Sequence, residues 1–253
     1  MTRRISRRRL IASGLAVAAG TTGVAGAIRL AESYGLIPPD HGGLYGVGET
    51  LTYASQRLLM GRQPLAREFS RSDISSVVPV NGDPPENDAY QRLLAGRFQD
   101  WRLAVDGLVA RPSTFALADL KRLPAHTQIT HQACEEGWSF IAAWTGVRLS
   151  DVLNVVGVDP RARYVVLFPF DTFWESIDMA DALHPQTYLA YGMNGADLPT
   201  AHGAPVRLRV ARQLGYKNIK YLSRVTVTDT LKPFGQGLGG ASPEYGYAWW
   251  AGI

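Results

Sequence analysis

The sequence predicts an α+β fold, with a mixed sheet and short helices, for a single domain of globular composition. The chain has 253 residues, 46% hydrophobic and 19% charged, which is enough to bury a substantial core. Apolar runs of strand length and short helical patterns follow one another irregularly, so the regular strand-helix alternation of a doubly wound sheet is absent. No pattern repeats at a period of about 20 to 50 residues.

Residues 1–27 are predicted to be an export signal that does not take part in the fold. They contain five arginines and no acidic residue, and the arginines precede an uncharged run that ends in an Ala-x-Ala pattern at Ala25 and Ala27. The stretch from Ser6 to Ile11 resembles the twin-arginine signal, which the twin-arginine export machinery reads and which carries folded proteins. An ordinary secretory signal and an uncleaved N-terminal anchor are the alternatives.

The distribution of charge argues against a nucleic-acid partner. The net charge is +4, but five of the 26 basic residues lie in the predicted signal and all 22 acidic residues lie outside it. The body of the chain is therefore nearly neutral, and nucleic-acid binding lacks its electrostatic basis. The predicted location is the periplasm, with a tether to the inner membrane if the signal is not cleaved.

The first half of the body is predicted to be an irregular lead-in over residues 28–74, followed by the folded domain over residues 75–253. A short helix is expected over residues 51–60. Alternating apolar residues predict a half-buried strand over residues 101–107, and a helical turn is expected over residues 116–123.

The second half of the domain is predicted to mix strands with helices of no more than about ten residues. The elements expected are, in chain order, a helix over 149–156, a strand over 164–168, a helix over 176–183, strands over 187–191 and 206–210, and a strand over 225–228. Ser150 is the expected N-cap of the first helix, and Gly157 follows its end. Asn194-Gly195 is a dipeptide favoured in tight hairpin turns.

Two motifs have the residue spacing of a known binding site, one for a dinucleotide and one for zinc, but their surrounding sequence does not suit such a site. Residues 235–240 fit GxGxxG, but only 13 residues follow them, too few for a dinucleotide-binding unit, so we interpret them as a flexible glycine loop. His126, His131 and Cys134 have a loosely zinc-like spacing. The β-branched residues between the histidines favour an extended chain, which would place the two rings on opposite faces. A local zinc or copper site is a disfavoured alternative.

Cys134 is the single cysteine of the chain, so no disulfide forms within it. In an oxidising compartment its thiol must be buried, paired with another chain, or held by a metal as thiolate. Glu135 and Glu136 follow it directly, and their charges raise the pKa of the thiol, which is unsuitable for a nucleophile. A cysteine hydrolase is therefore disfavoured, whereas the charge of a bound metal would outweigh the two carboxylates.

Cations and glycines cluster between His202 and Lys220. Arg207 and Arg209 fall on one face of a predicted strand, and Lys217 lies beside a glycine turn. Cations and backbone donors at a point of close chain approach are what a phosphate ligand requires. Two alternatives stay open: an exposed basic sheet edge, and a cofactor-free exported module that binds an anion.

Four segments together resemble the sulfite oxidase family of molybdenum enzymes, in the exported bacterial branch that includes the catalytic subunit of periplasmic protein-methionine-sulfoxide reductase. The resemblance covers roughly residues 75 to 250. The segments are Trp101-Arg102-Leu103 with Gly107, Cys134 to Ser139, Trp144 to Val147, and His202 to Arg207 with Gly215 to Lys220. This resemblance implies the sulfite oxidase molybdopterin-binding fold and oxygen-atom transfer coupled to two-electron redox.

The resemblance also implies which residues form the site. Cys134 matches the thiolate that ligates molybdenum, together with the dithiolene sulfurs of molybdopterin. Arg207 and Lys220 match positions that hold the phosphate and pterin of the cofactor. His202 stands where the reductase branch has an asparagine, and a histidine can make the same donor contact. The remaining positions expected to bind the cofactor are Asn81, Lys217, Asn218 and Ile219.

Departures from the family pattern set the expected substrate. Sulfite oxidases have an arginine-rich stretch after their cysteine, whereas Glu135 and Glu136 here would repel sulfite. Reduction of an S- or N-oxide, in a small molecule or in a protein, is the expected reaction, and sulfite-type oxidation is the alternative. The chain has no Cys-x-x-Cys-His haem motif, so a separate electron-transfer partner, a membrane cytochrome, is expected.

Overall fold

Two five-stranded sheets form the frame of the protein. A computed structural model describes residues 26–31, 36–39, 46–60 and 64–253. In chain order the strands are β1 (Arg102–Gly107), β2 (Ser113–Ala116), β3 (Ala125–Ala133), β4 (Ser139–Arg148), β5 (Tyr164–Pro169), β6 (Glu175–Asp178), β7 (Thr187–Met193), β8 (Ala196–Asp197), β9 (Arg207–Val210) and β10 (Leu222–Thr228). The helices are α1 (Val47–Met60), α2 (Asp88–Ala95), α3 (Leu117–Arg122), α4 (Leu149–Val156), α5 (Met179–Ala182) and α6 (Ala241–Glu244). The predicted α+β class is confirmed.

The first sheet is mixed, with the strand order β2-β1-β10-β5-β6. Its β1 and β10 pair in parallel, and the other neighbours pair antiparallel. The predicted burial of β5 on both faces is present: Val165 and Leu167 belong to the main core, while Val166 packs with Trp249 and Trp250 on the opposite side. The C-terminal tryptophans therefore cover the second face of this sheet.

The second sheet is antiparallel, with the order β3-β4-β7-β8, and β9 also pairs with β7. Every residue of β7 is buried, because its residues pack into two different clusters, Leu189 and Tyr191 in the main core and Ala190 and Met193 in a second cluster. Asn194 and Gly195, with φ of 51° and 86°, form the predicted tight turn between β7 and β8. The predicted helical turn before residue 124 and the extended chain after it are α3 and β3.

Three expectations about local structure are wrong. Residues 176–178 belong to β6 rather than to a helix, because Ile177 pairs with Val165 of β5, and the helix α5 begins only after Asp178. The N-cap of α4 is Arg148 instead of Ser150. The helix α1 has 14 residues, which exceeds the expected length.

The helix α1, which lies within the predicted irregular lead-in, packs on the body of the protein. The ring of Tyr53 lies 6.2 Å from that of Trp249 and 6.1 Å from that of Trp250. Arg57 forms an ion pair with Asp178. Among the helices of the described ranges, none has both the length and the apolar composition to cross a membrane. Residues 1–25 of the predicted export signal lie outside the described residues.

The pairing of β1 with β10 requires a glycine at position 107. Gly107 has φ of +86°, and a Cβ there would lie 2.1 Å from the backbone oxygen of Val227. We expect Gly107→Ala to lower the free energy of unfolding by at least about 2 kcal/mol. Gly195→Ala is the matched control, because Gly195 has the same φ of +86° with nothing within 4 Å of its Cβ position. Equal losses in urea denaturation of the two variants would contradict the steric explanation.

Burial of His184 makes stability depend on pH. Burial first, and then the charge of Arg212, lowers the pKa of His184 from 6.5 to about 4. Between pH 6.5 and about 4, His184 is protonated in the unfolded chain but neutral in the folded chain. The contribution of the neutral imidazole to stability is therefore complete above pH 6.5 and is lost as the pH falls toward 4. Between pH 7 and 5 the loss should be about 1–2 kcal/mol. His184→Asn should remove this contribution to the pH dependence in denaturation experiments, and an unchanged slope in this variant would contradict the assignment.

Candidate functional site

A cavity of about 600 Å³ opens where β3 ends. Segments that are far apart in the sequence line it, and the lining residues fall within 79–83, 132–140, 171–173, 201–207, 215–220 and 245–247. Seven of the eight predicted site residues line this cavity: Asn81, Cys134, His202, Arg207, Asn218, Ile219 and Lys220. Lys217 is not among the lining residues.

Cys134 lies at the cavity wall in a turn that follows β3. Its backbone N–H donates to the carbonyl of Trp138 at 2.9 Å, and its carbonyl accepts from the N–H of Gly137 at 3.1 Å. The turn needs the positive φ of Gly137, +91°. The Asn81 amide nitrogen lies 3.7 Å from the Cys134 sulfur, so the loop that carries Asn81 approaches the thiol from across the cavity.

The electrostatic environment of Cys134 disfavours an unassisted thiolate. Burial, reinforced by the Glu135 carboxylate, raises the pKa of the Cys134 thiol to about 11. The Glu135 Oε2 atom lies 3.3 Å from the sulfur and the Glu136 Oε2 atom 3.9 Å from it. A nucleophilic cysteine needs the opposite shift, so the hydrolase alternative is not supported.

The histidines that precede Cys134 do not gather around it. His126 stacks with Tyr188 at a ring distance of 6.1 Å. Within the part of the chain that the structure describes, no three His, Cys, Asp or Glu side chains form a group that could hold a metal. The local zinc or copper site considered from the sequence is therefore not formed. A metal at Cys134 would need further donors from outside the protein.

Arg207 and Arg209 are buried rather than exposed on a sheet edge. The Arg207 guanidinium donates to the carbonyls of His202 at 3.0 Å and Asn218 at 2.8 Å. The Arg209 guanidinium donates to the Asn218 side-chain oxygen at 2.7 Å and to the carbonyl of His131 at 2.6 Å. Burial lowers the pKa of Arg207 to about 10 and that of Arg209 to about 9. Neither forms an ion pair within the described residues.

Lys220 and His202 stand at the same wall of the cavity as Arg207. The Lys220 ammonium donates to the carbonyls of Asn81 at 2.5 Å and Ala201 at 3.1 Å. Burial, and then Arg207, lowers the pKa of Lys220 to about 8. The same two causes lower the pKa of His202 to about 4, so this imidazole is neutral at pH 7. A neutral imidazole has one N–H donor and one acceptor.

Asn218 and Ile219 hold the loop that carries Lys220. The Asn218 side-chain oxygen accepts from the Val210 backbone N–H at 2.7 Å, and its amide nitrogen donates to the Leu214 carbonyl at 3.0 Å. The Ile219 carbonyl accepts from the Leu208 N–H at 2.7 Å. These bonds fix the backbone of the loop at the cavity wall, where it can approach a ligand.

Lys217 faces the protein interior. Its ammonium is fully buried and lies 2.5 Å from the Glu175 carboxylate, and it also donates to the Ser176 carbonyl at 3.2 Å. The other Glu175 oxygen accepts from the Ser242 N–H at 2.8 Å. The structure thus separates Lys217 from the predicted site residues and joins it to the C-terminal segment.

Several residues that line the cavity were not singled out from the sequence: Gln132, Asp171, Phe173, Tyr245 and Tyr247. Strand alternation could have indicated Gln132, because it lies two residues before Cys134 on the same side of the chain. The aromatic residues come from loops and the C-terminal segment, for which no periodic signal exists.

Comparison with known proteins decides the family. Residues 92–233 match the oxidoreductase molybdopterin binding domain. The chain belongs to this family. It is therefore a molybdopterin-dependent oxidoreductase of the molybdenum enzymes, which confirms the predicted enzyme class, cofactor and sulfite oxidase relationship.

Two curated relatives and one solved structure are similar to this family member. A putative protein-methionine-sulfoxide reductase subunit of Azospira oryzae is 41% identical over 200 residues, 78% of this chain and 71% of the relative. The protein-methionine-sulfoxide reductase catalytic subunit of Ralstonia nicotianae is 31% identical over 163 residues, 58% of this chain and 49% of the relative. The sulfane dehydrogenase SoxCD of Paracoccus pantotrophus matches with a TM-score of 0.50 and 28% identity over 52% of this chain and 39% of that chain.

The residues of the cavity fit a molybdopterin cofactor. Cys134 offers a soft sulfur donor of the kind that molybdenum thiolate centres use, and the dithiolene of the cofactor would supply the further sulfurs. Arg207 and Lys220 form no ion pair within the described residues, and Asp171 and Asp83 act on Lys220 only at longer range, so both cations are available to an anionic phosphate. The cavity volume of about 600 Å³ is typical of small-molecule and cofactor sites.

Lys217 and Lys220, three residues apart, should have separable roles. Lys217→Met leaves the buried Glu175 carboxylate unpaired and should lower the free energy of unfolding by about 3–5 kcal/mol. Lys220→Met removes a cation that lines the cavity and should chiefly reduce the retained molybdenum. Chemical denaturation and metal analysis of the same preparations measure both effects. Loss of molybdenum from Lys217→Met at unchanged stability would instead place Lys217 at the cofactor.

Proposed function

We propose that this protein reduces sulfoxides. In the reaction, a sulfoxide takes up two electrons and two protons and becomes a sulfide and water. Two observations support the proposal: both curated relatives are named as protein-methionine-sulfoxide reductase subunits, and carboxylates rather than arginines follow Cys134 at the cavity. The second observation carries the choice of substrate class, because a sulfoxide is neutral whereas sulfite is an anion that these carboxylates repel.

Different residues of the cavity would bind the metal, bind the phosphate and donate a hydrogen bond. A bound molybdenum-molybdopterin cofactor would supply the two-electron redox chemistry. Cys134 would hold the metal, and Arg207 and Lys220 would hold the phosphate, with Asn218 and Ile219 fixing the backbone around it. His202 is neutral at pH 7 because of its lowered pKa, and it can donate one hydrogen bond without adding charge.

We further propose that the chain acts outside the cytoplasm, in the periplasm. Residues 1–27 have the order of an export signal, and the twin-arginine route suits a protein that receives its cofactor before export. The single unpaired cysteine is compatible with an oxidising compartment if a metal holds its sulfur. An uncleaved signal would tether the protein to the inner membrane.

An electron-transfer partner completes the proposal. The reaction consumes two electrons, and the chain has no haem-attachment motif. The Ralstonia nicotianae relative is named a catalytic subunit, which supports a second subunit here. A membrane cytochrome fits the proposed location at the periplasmic face of the inner membrane.

Metal content and sulfoxide turnover test this proposal directly. Protein expressed folded in a host that makes molybdopterin should contain about one molybdenum per chain by mass spectrometry. With a reduced dye as electron donor, it should convert methionine sulfoxide to methionine. Cys134→Ser should lower this activity by at least about a hundredfold. Absence of molybdenum from the native protein would overturn the proposal and favour a cofactor-free anion site at Arg207 and Lys220.

A further inference from the structure

Two carboxylates without ionic partners mark the mouth of the cavity. Glu135 is half-buried and Glu136 is exposed, and both line the cavity beside Cys134. Neither forms an ion pair within the described residues. Unpaired carboxylates next to a reaction centre attract cations and repel anions, so their charge acts on whatever enters the cavity.

The second of these carboxylates is held against an aromatic side chain. The indole N–H of Trp138 donates to Glu136 Oε2 at 2.7 Å. The Trp138 ring in turn stacks on Phe140, with ring centroids 6.0 Å apart and an interplanar angle of 14°. A fixed carboxylate beside an aromatic ring is a combination that favours ammonium and guanidinium groups.

Gln132 adds an acceptor that is independent of the acidic pair. It precedes Cys134 by two residues, so β-strand alternation places both side chains on the same side of the chain, and both line the cavity. Gln132 is only 5% exposed, and its Oε1 atom has no hydrogen-bond partner within the described residues. The side chain that carries this unpaired oxygen forms part of the cavity wall.

The cations of the cavity do not neutralise this mouth. The Arg207 guanidinium is bound to the carbonyls of His202 and Asn218, and the Lys220 ammonium to those of Asn81 and Ala201. These groups lie at the wall assigned above to the phosphate. The Glu135 and Glu136 carboxylates are therefore not paired with the cations of the cavity.

We propose that the mouth formed by Gln132, Glu135, Glu136 and Trp138 selects sulfoxides that carry a positive charge nearby, such as methionine sulfoxide flanked by lysine or arginine in a polypeptide. The inference rests on the proposed function, because it names the substrate class of the same site. A cationic residue beside the methionine sulfoxide would be attracted by two carboxylates and an aromatic ring. An acidic residue in the same place would be repelled by the two carboxylates.

Three peptides of equal length test this selection. Each contains one methionine sulfoxide, flanked on both sides by lysine, by serine or by glutamate. The molybdenum-loaded enzyme should have a kcat/KM for the lysine peptide about three- to tenfold above that for the serine peptide, with the glutamate peptide lowest. Raising the salt from about 0.05 M to about 0.5 M should largely remove the differences.

An isosteric double variant tests whether the two carboxylates cause the selection. The variant that combines Glu135→Gln with Glu136→Gln should bring the three kcat/KM values within about twofold of one another. Asp100→Asn is the matched control, because Asp100 is an exposed carboxylate outside the cavity lining, and it should keep the native order. Dissociation constants of the same peptides, measured by calorimetry, give a readout that does not need turnover.

The outcomes separate the inference from the proposed function. Equal kcat/KM values and equal affinities for all three peptides at low salt would overturn the charge selection while leaving sulfoxide reduction intact. Tighter binding of the lysine peptide without reduction of any peptide would support the selective mouth and overturn the proposed reaction. A preference for lysine that persists in the double variant would also overturn the assignment to Glu135 and Glu136.

Discussion

The burial of two guanidinium groups is the constraint on which the cavity depends. A charge removed from water is costly unless hydrogen bonds replace the lost hydration. Arg207 and Arg209 obtain those bonds from the carbonyls of His202, Asn218 and His131 and from the Asn218 side chain. The segments that carry His131, His202 and Asn218 must come together to make these hydrogen bonds. Together they form the wall of the cavity on which Lys220 lies. The buried hydrogen bonds of the two arginines thus determine the geometry of the site.

The local elements of the fold follow from the sequence, while their assembly does not. Alternation of apolar residues identifies β1, and an unbroken apolar run identifies β5, because burial on one or both faces leaves a direct mark on composition. The division of the strands into two sheets cannot be recognised from composition in this way. The parallel pairing of β1 with β10 joins segments about 120 residues apart, as in the bond from Thr226 to Asp106. The strand β6 was mistaken for a helix because its pairing with β5 outweighs its local pattern.

The site shows the same division between local and long-range information. The family resemblance predicted that Cys134 and Asn81 belong to one site, and both side chains line the same cavity. Lys217 and Lys220 look equivalent in sequence, but Lys217 faces Glu175, which is 42 residues away in the chain. Only the folded protein shows which of the two lysines is buried in an ion pair and which lines the cavity.

Several exposed residues that line the cavity are not needed by the core. Phe173, Tyr245 and Tyr247 are at least one-third exposed, and Glu136 lies in the turn after β3 rather than in a paired strand. The wall that carries Arg207, by contrast, is held in place by buried hydrogen bonds. Substitution of these exposed residues should therefore disturb folding less than substitution of the buried arginines. Over evolutionary time such an arrangement lets a lineage change which substrates it accepts while it inherits the same cofactor chemistry.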